Sequence, residues 1–117
     1  ALADPIVAPY GIAALAVMEN LKLDTATFQP LLVTNVGQVA TLFVTGNAEF
    51  AFLAQGQVPF IGAGVVTSLE GRYPPIRQDA AWLSRAADNP AAEAFWTFLA
   101  SGRAKDVISA NGYDLAQ

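Results

Sequence analysis

The sequence predicts an α/β fold with a largely parallel sheet and flanking helices. Short β-prone runs alternate along the chain with stretches whose apolar residues recur at helical spacing. Twice, a β-prone run leads into a helix start, near Pro9 and again at Asn35. Composition agrees: of 117 residues 54% are hydrophobic and 14% charged, too apolar for a disordered chain and of a length that suits one domain.

Each element has a local reason. Ala1–Asp4 reads as the end of a strand that turns at Asp4–Pro5. A helix follows from Tyr10 to about Leu21, with Ala14, Val17, Met18 and Leu21 on one face and Ile12, Leu15 and Ala16 filling much of the rest; such a helix is expected to be buried on several sides. Asp24–Pro30 is a loop and Leu31–Thr34 a short strand. Asn35 is a good N-cap for a helix from Val36 to about Thr45, ended by Gly46–Asn47, with Val39, Leu42 and Phe43 as its apolar stripe. Glu49–Ala54, Val65–Leu69 and Ile76–Ser84 read as further strands, separated by turns at Gln55–Gly64 and Gly71–Pro75. Asn89–Pro90 opens a helix whose apolar face is Ala91, Ala94, Phe95, Phe98 and Leu99. After Gly102 a shorter helix carries Ala104, Val107 and Ile108 and stops at Asn111–Gly112.

Several functions are disfavoured at once. Ten acids against six bases, a net charge of −4, do not make a nucleic-acid surface. With no Cys and no His, thiol catalysis, disulfides, a Ser-His triad and the usual zinc sites are excluded. The uncharged run Phe50–Leu69 has the length of a membrane span, but Gln55, Gly56, Gln57, Pro59, Gly62 and Gly64 interrupt it, so no span is expected. The chain begins at Ala1 with neither an initiator Met nor a leader pattern, as expected of a processed or trimmed chain.

Little in the sequence points to catalysis. Asp4, Asp24, Glu49, Glu70, Asp79 and Asp88 are scattered carboxylates without paired spacing, and Arg77 with Asp79 reads as a surface ion pair. Gly62-Ala63-Gly64 lacks the third glycine of a dinucleotide fingerprint. Trp82 and Trp96 fit core packing better than a pocket wall. No enzyme is expected.

The two helix starts are more informative. Pro9-Tyr10-Gly11 and Asn35-Val36-Gly37 each place backbone N–H groups at a positive dipole end, with a glycine that permits close approach. Such an end binds an anion without a basic residue. Every α/β protein has helix N-termini, so a purely structural role is the competing reading.

Four stretches then resemble a known family. These are Asp4-Pro5 through Ala8-Pro9-Tyr10-Gly11, Val44-Thr45-Gly46-Asn47-Ala48-Glu49 continuing to Gln57-Val58, Tyr73-Pro74-Pro75-Ile76-Arg77-Gln78-Asp79-Ala80, and Asp88-Asn89-Pro90-Ala91-Ala92 with Phe95, Phe98-Leu99, Ser101 and Gly112-Tyr113. In this order they resemble the periplasmic molybdate-binding proteins of ABC transporters.

The resemblance implies a type II periplasmic-binding fold, in which two lobes close on a tetrahedral oxyanion, molybdate or tungstate, and deliver it to a membrane permease. It implies that residues 1–70 are part of the second lobe, 71–75 the crossover, and 76–117 a strand and helices packing on the first lobe. It carries over Tyr10 and Val36 as backbone N–H donors, supported by Gly11, Asn35 and Gly37. The tyrosine hydroxyl that some relatives use corresponds to Ala54 and is absent here, and Tyr10 is the residue placed to compensate.

Family members are much longer than this chain. The resemblance therefore implies an incomplete fold that needs an N-terminal half or a second chain, half of a cleft, and weak or no molybdate binding by these residues alone. No cofactor and no metal cation are expected, and the location is periplasmic or lipid-anchored extracellular. Alternatives are a sulfate- or phosphate-type oxyanion, the effector-sensing domain of a transcription regulator with the same fold, or a domain that works only by association.

Overall fold

The computed structural model describes residues 1–27, 29–62 and 64–115. Ala63, at the middle of the Gly62–Gly64 turn, lies outside them, as do Phe28 in the Asp24–Pro30 loop and the last two residues of the 76–117 segment. The chain divides into two compact units, one spanning Ala1–Ile76 and the other beginning at Arg77.

The first unit contains β1 (Leu2–Ala3), α1 (Pro9–Asn20), β2 (Leu32–Val33), α2 (Val36–Val44) and a 3-10 turn at Gln55–Gln57 that runs into α3 (Val58–Ile61). β1 and β2 pair in parallel, with Leu2 opposite Leu32 and Ala3 opposite Val33. Leu2 N–H donates to the Leu31 carbonyl at 3.0 Å and Asp4 N–H to that of Val33 at 2.7 Å. Successive side chains of a strand point to opposite faces. Leu2 accordingly packs with Ala14 and Met18 of α1 and half-buried Phe52, while Ala3 packs with Ala8 and with Val39 of α2. The small sheet thus has a helix on each face, the α/β arrangement expected from the alternation of elements.

The three further strands do not form. Glu49 and Phe50 form a bend and residues 51–54 have no regular structure, but part of the run lies beside the start of β1: Ala1 N donates to the Phe50 carbonyl, and Phe52 N–H donates to the Ala1 carbonyl at 3.0 Å. Donors of successive residues point to opposite edges of a strand, so β1 is central, with β2 on one edge and Phe50–Phe52, bonded to Ala1, on the other. The pairing is too short to be a ladder. Val65–Leu69 and Ile76–Ser84 have no neighbouring strand among the described residues; Val65 is 98% exposed. A β-prone run becomes a strand only when a partner takes its backbone hydrogen bonds.

α1 also departs from expectation. Ala13, Ala14, Val17 and Met18 are buried, but Ile12 and Leu15 are exposed, so the helix is covered on one side only. Leu21 is the C-cap and lies outside the buried face. The helix stops because Lys22 adopts φ +52°. Lys22 N–H donates to the Glu19 carbonyl and Leu23 N–H to that of Met18, each at 3.0 Å, which is a Schellman ending. α2 ends the same way at Gly46 (φ +74°), with Asn47 N–H on the Leu42 carbonyl at 2.9 Å.

The second unit has a 3-10 turn at Ser84–Ala86, then α4 (Pro90–Leu99) and α5 (Gly102–Ala110). Asn89 Oδ1 accepts from Ala91 N–H at 3.0 Å and Ser101 Oγ from Ala104 N–H at 3.2 Å, capping both helices. Trp82 and Trp96 meet with ring centroids 6.1 Å apart, and Trp82 Nε1 donates to the Ala86 carbonyl at 2.9 Å. Phe95 is 60% exposed, so the aromatic face of α4 is only partly covered within its own unit. Arg77 and Asp79 form the expected ion pair at 3.3 Å, exposed on both sides, where such pairs contribute little. No described helix is long and apolar enough to cross a membrane.

Candidate functional site

The start of α1 is shaped by Asp4, at the end of β1. Its Oδ1 accepts from Ile6 N–H at 2.9 Å, and its carbonyl accepts from Val7 and Ala8 N–H at 3.2 and 2.9 Å. This turn brings the chain to Ala8, the N-cap, which has no capping side chain. Pro9 at the first helical position has no N–H, so Tyr10 carries the first amide hydrogen of the helix. The Tyr10 side chain is half-buried against the cluster of Ala3, Ala8 and Val39.

Gly11 has a different role from the one expected. A Cβ there would lie 2.2 Å from the Ala3 carbonyl oxygen, 2.6 Å from Pro5 N and 2.8 Å from the Asp4 carbonyl carbon. The close approach that glycine permits is therefore to the chain's own strand and turn.

The start of α2 is more open. Asn35 is extended (φ −155°, ψ 163°), and its Oδ1 accepts from Gln38 N–H at 3.0 Å. Gln38 reaches back, its Oε1 accepting from the N–H and hydroxyl of Thr34 at 3.1 and 3.0 Å. These reciprocal bonds fix the first turn. They leave the N–H groups of Val36 and Gly37 without an acceptor among the described residues. Asn35 and Gly37 are exposed and Val36 is half-buried. Replacing Asn35 with alanine is expected to lower stability by about 1 kcal/mol, seen as a shift of the thermal melt; an unchanged melt would show that the cap does not hold this turn.

Because β1 and β2 are parallel neighbours, both helix starts leave the same end of the sheet. Ligands of open α/β sheets lie beyond the carboxyl ends of the strands, so Tyr10 and Val36 are brought to the relevant edge. A residue that sequence reasoning passed over stands behind them. Gln57 Nε2 donates to the Val36 carbonyl at 3.2 Å, and its Oε1 accepts from Ala54 N–H at 3.1 Å. Buried Ala54 thus contributes its backbone to the bracket that holds α2. The only hint of this in the sequence is a glutamine three residues after the residue it bonds, a pattern common at helix starts. No described group of His, Cys, Asp or Glu is placed to hold a metal ion.

Comparison with known proteins bears on what this edge is for. A family model described as bacterial extracellular solute-binding protein matches residues 1–114. The chain belongs to that family. Two relatives of this solute-binding chain are named molybdate-binding protein ModA. The one from Azotobacter vinelandii is 41% identical over 119 residues, covering 97% of this chain and 47% of the relative. The one from Rhodobacter capsulatus is 39% identical over 116 residues, covering 97% and 46%. The chain therefore spans about half the length of these relatives. No solved structure matches it.

Proposed function

We propose that this chain supplies half of a cleft that binds molybdate or tungstate in a type II periplasmic-binding fold, for delivery to an ABC importer permease. In this reading residues 1–70 belong to the second lobe, 71–75 are the crossover, and 76–117 pack on a first lobe that another segment completes. The protein works outside the cytoplasmic membrane, in the periplasm or held to the cell surface, and is a carrier with no cofactor.

The observation that carries the reading is the start of α2. Two adjacent backbone N–H groups, of Val36 and Gly37, stand without acceptors among the described residues, at a dipole end that Asn35 and Gln38 hold in shape. A tetrahedral dianion is matched by such donors, and no neighbouring Lys or Arg is needed. The names of the two relatives support molybdate as the anion. Tyr10 and Gly11, at the same edge, contribute the second helix start.

A cleft with one wall missing leaves its anion half-solvated. Isothermal titration of molybdate into the 117-residue chain is therefore expected to give no submicromolar binding, whereas the full-length protein binds tightly. Submicromolar binding by the chain alone would overturn the half-cleft, and tighter binding of sulfate or phosphate by the full-length protein would overturn molybdate.

A further inference from the structure

We infer that Gln57 is a positioning residue for the anion site, acting through the peptide group between Val36 and Gly37. This inference rests on the reading of the α2 start as an oxyanion site and names a residue that acts on it from behind.

Gln57 Nε2 donates to the Val36 carbonyl at 3.2 Å. That carbonyl shares its peptide plane with the Gly37 N–H, one of the two donors without an acceptor among the described residues. A bond accepted on the oxygen of a peptide polarises the group and makes its N–H a stronger donor on the opposite side. It also restrains rotation of the plane, which at Gly37 is resisted by no side chain. Gln57 is itself held, since its Oε1 accepts from the N–H of buried Ala54 at 3.1 Å. The side chain is half-buried, so water competes for these bonds less than on an open surface. The result is a relay from Ala54 N–H through the Gln57 amide and the Val36 carbonyl to the Gly37 N–H.

Two variants separate this role from simple support of the turn. Gln57→Met keeps the length of the side chain and removes both bonds. Gln57→Glu keeps the acceptor for Ala54 N–H and removes the donor to Val36. The first readout uses the chain without ligand: the Gly37 amide nitrogen resonance is expected to move upfield in both variants, because the bond on the preceding carbonyl is lost. The Ala54 amide is expected to stay protected from exchange in Gln57→Glu alone. The second readout is molybdate affinity of the full-length protein, expected to weaken about three- to tenfold in Gln57→Met at a temperature well below its melting point.

An unmoved Gly37 resonance, or a Gln57→Met affinity equal to wild type, overturns the inference. Wild-type full-length protein that does not bind molybdate overturns the site reading, and with it any ligand role for Gln57. That result differs visibly from a wild type that binds and a variant that binds equally well.

Discussion

Replacing Gly11 with alanine is expected to cost the chain about 3 kcal/mol or more, lowering its melting temperature by about 10–20 °C. Helix propensity alone predicts the opposite sign, since alanine is favoured over glycine inside a helix by about 1 kcal/mol. The added methyl, however, would sit 2.2 Å from the Ala3 carbonyl oxygen and 2.6 Å from Pro5 N. Both are backbone atoms, one in the central strand and the other in the turn that Asp4 braces. Neither can rotate away as a side chain would. Relief requires α1 to lift from β1, which opens the contact of Leu2 with Ala14 and Met18. Gly102, at the first position of α5, has nothing within 4 Å of its own missing Cβ. Alanine there is expected to be neutral or to stabilise by up to about 1 kcal/mol. Urea unfolding followed by far-UV circular dichroism measures both; a Gly11→Ala chain as stable as wild type would refute the close packing described.

On the proposed reading of the α2 start as an oxyanion site, Val36→Pro is expected to weaken molybdate binding by the full-length protein about ten- to a hundredfold while leaving its stability within about 1 kcal/mol of wild type. Val36 occupies the first position of α2, where proline is the favoured residue and its missing N–H breaks no helical bond. Asn35 before it is already extended, the conformation that proline imposes on its predecessor. The Val36 carbonyl keeps its bond from Gln57. What disappears is one N–H aimed beyond the sheet. Val36→Ala retains that N–H and is expected to bind as wild type does. Titration calorimetry together with a thermal melt reads both quantities; undiminished affinity in Val36→Pro would remove this amide from the site.

Helices were far more legible in the sequence than strands, and the reason is range. Asn35, Asn89–Pro90, Gly46 and Gly112 each act within a turn of their own helix, and each does so in the structure. The exception is Lys22, which takes the left-handed conformation at the end of α1 without being glycine; periodicity therefore ran on to Leu21, one residue past the helix. Glu49–Ala54 and Ile76–Ser84 have strand-like composition, but a strand depends on a second strand that local sequence does not specify. The helix starts of the candidate site were legible because they are local features. Gln57 was not, because its bond to Val36 spans 21 residues. Gly11 was noticed for its permissiveness, yet only the packing reveals that the approaching atoms belong to Ala3 and Pro5.

The central place of β1 also sets an order of events. Ala1, Leu2 and Ala3 are made before Leu31–Val33 and Phe50–Phe52, the segments described on their two edges, which lie some thirty and fifty residues further along. At ribosomal rates of about 5–20 residues per second, the second edge arrives roughly 2.5–10 s after the first residues of β1 are made. Until then the bonds that join Ala1 to Phe50 and Phe52 cannot form, so this edge closes last of the two.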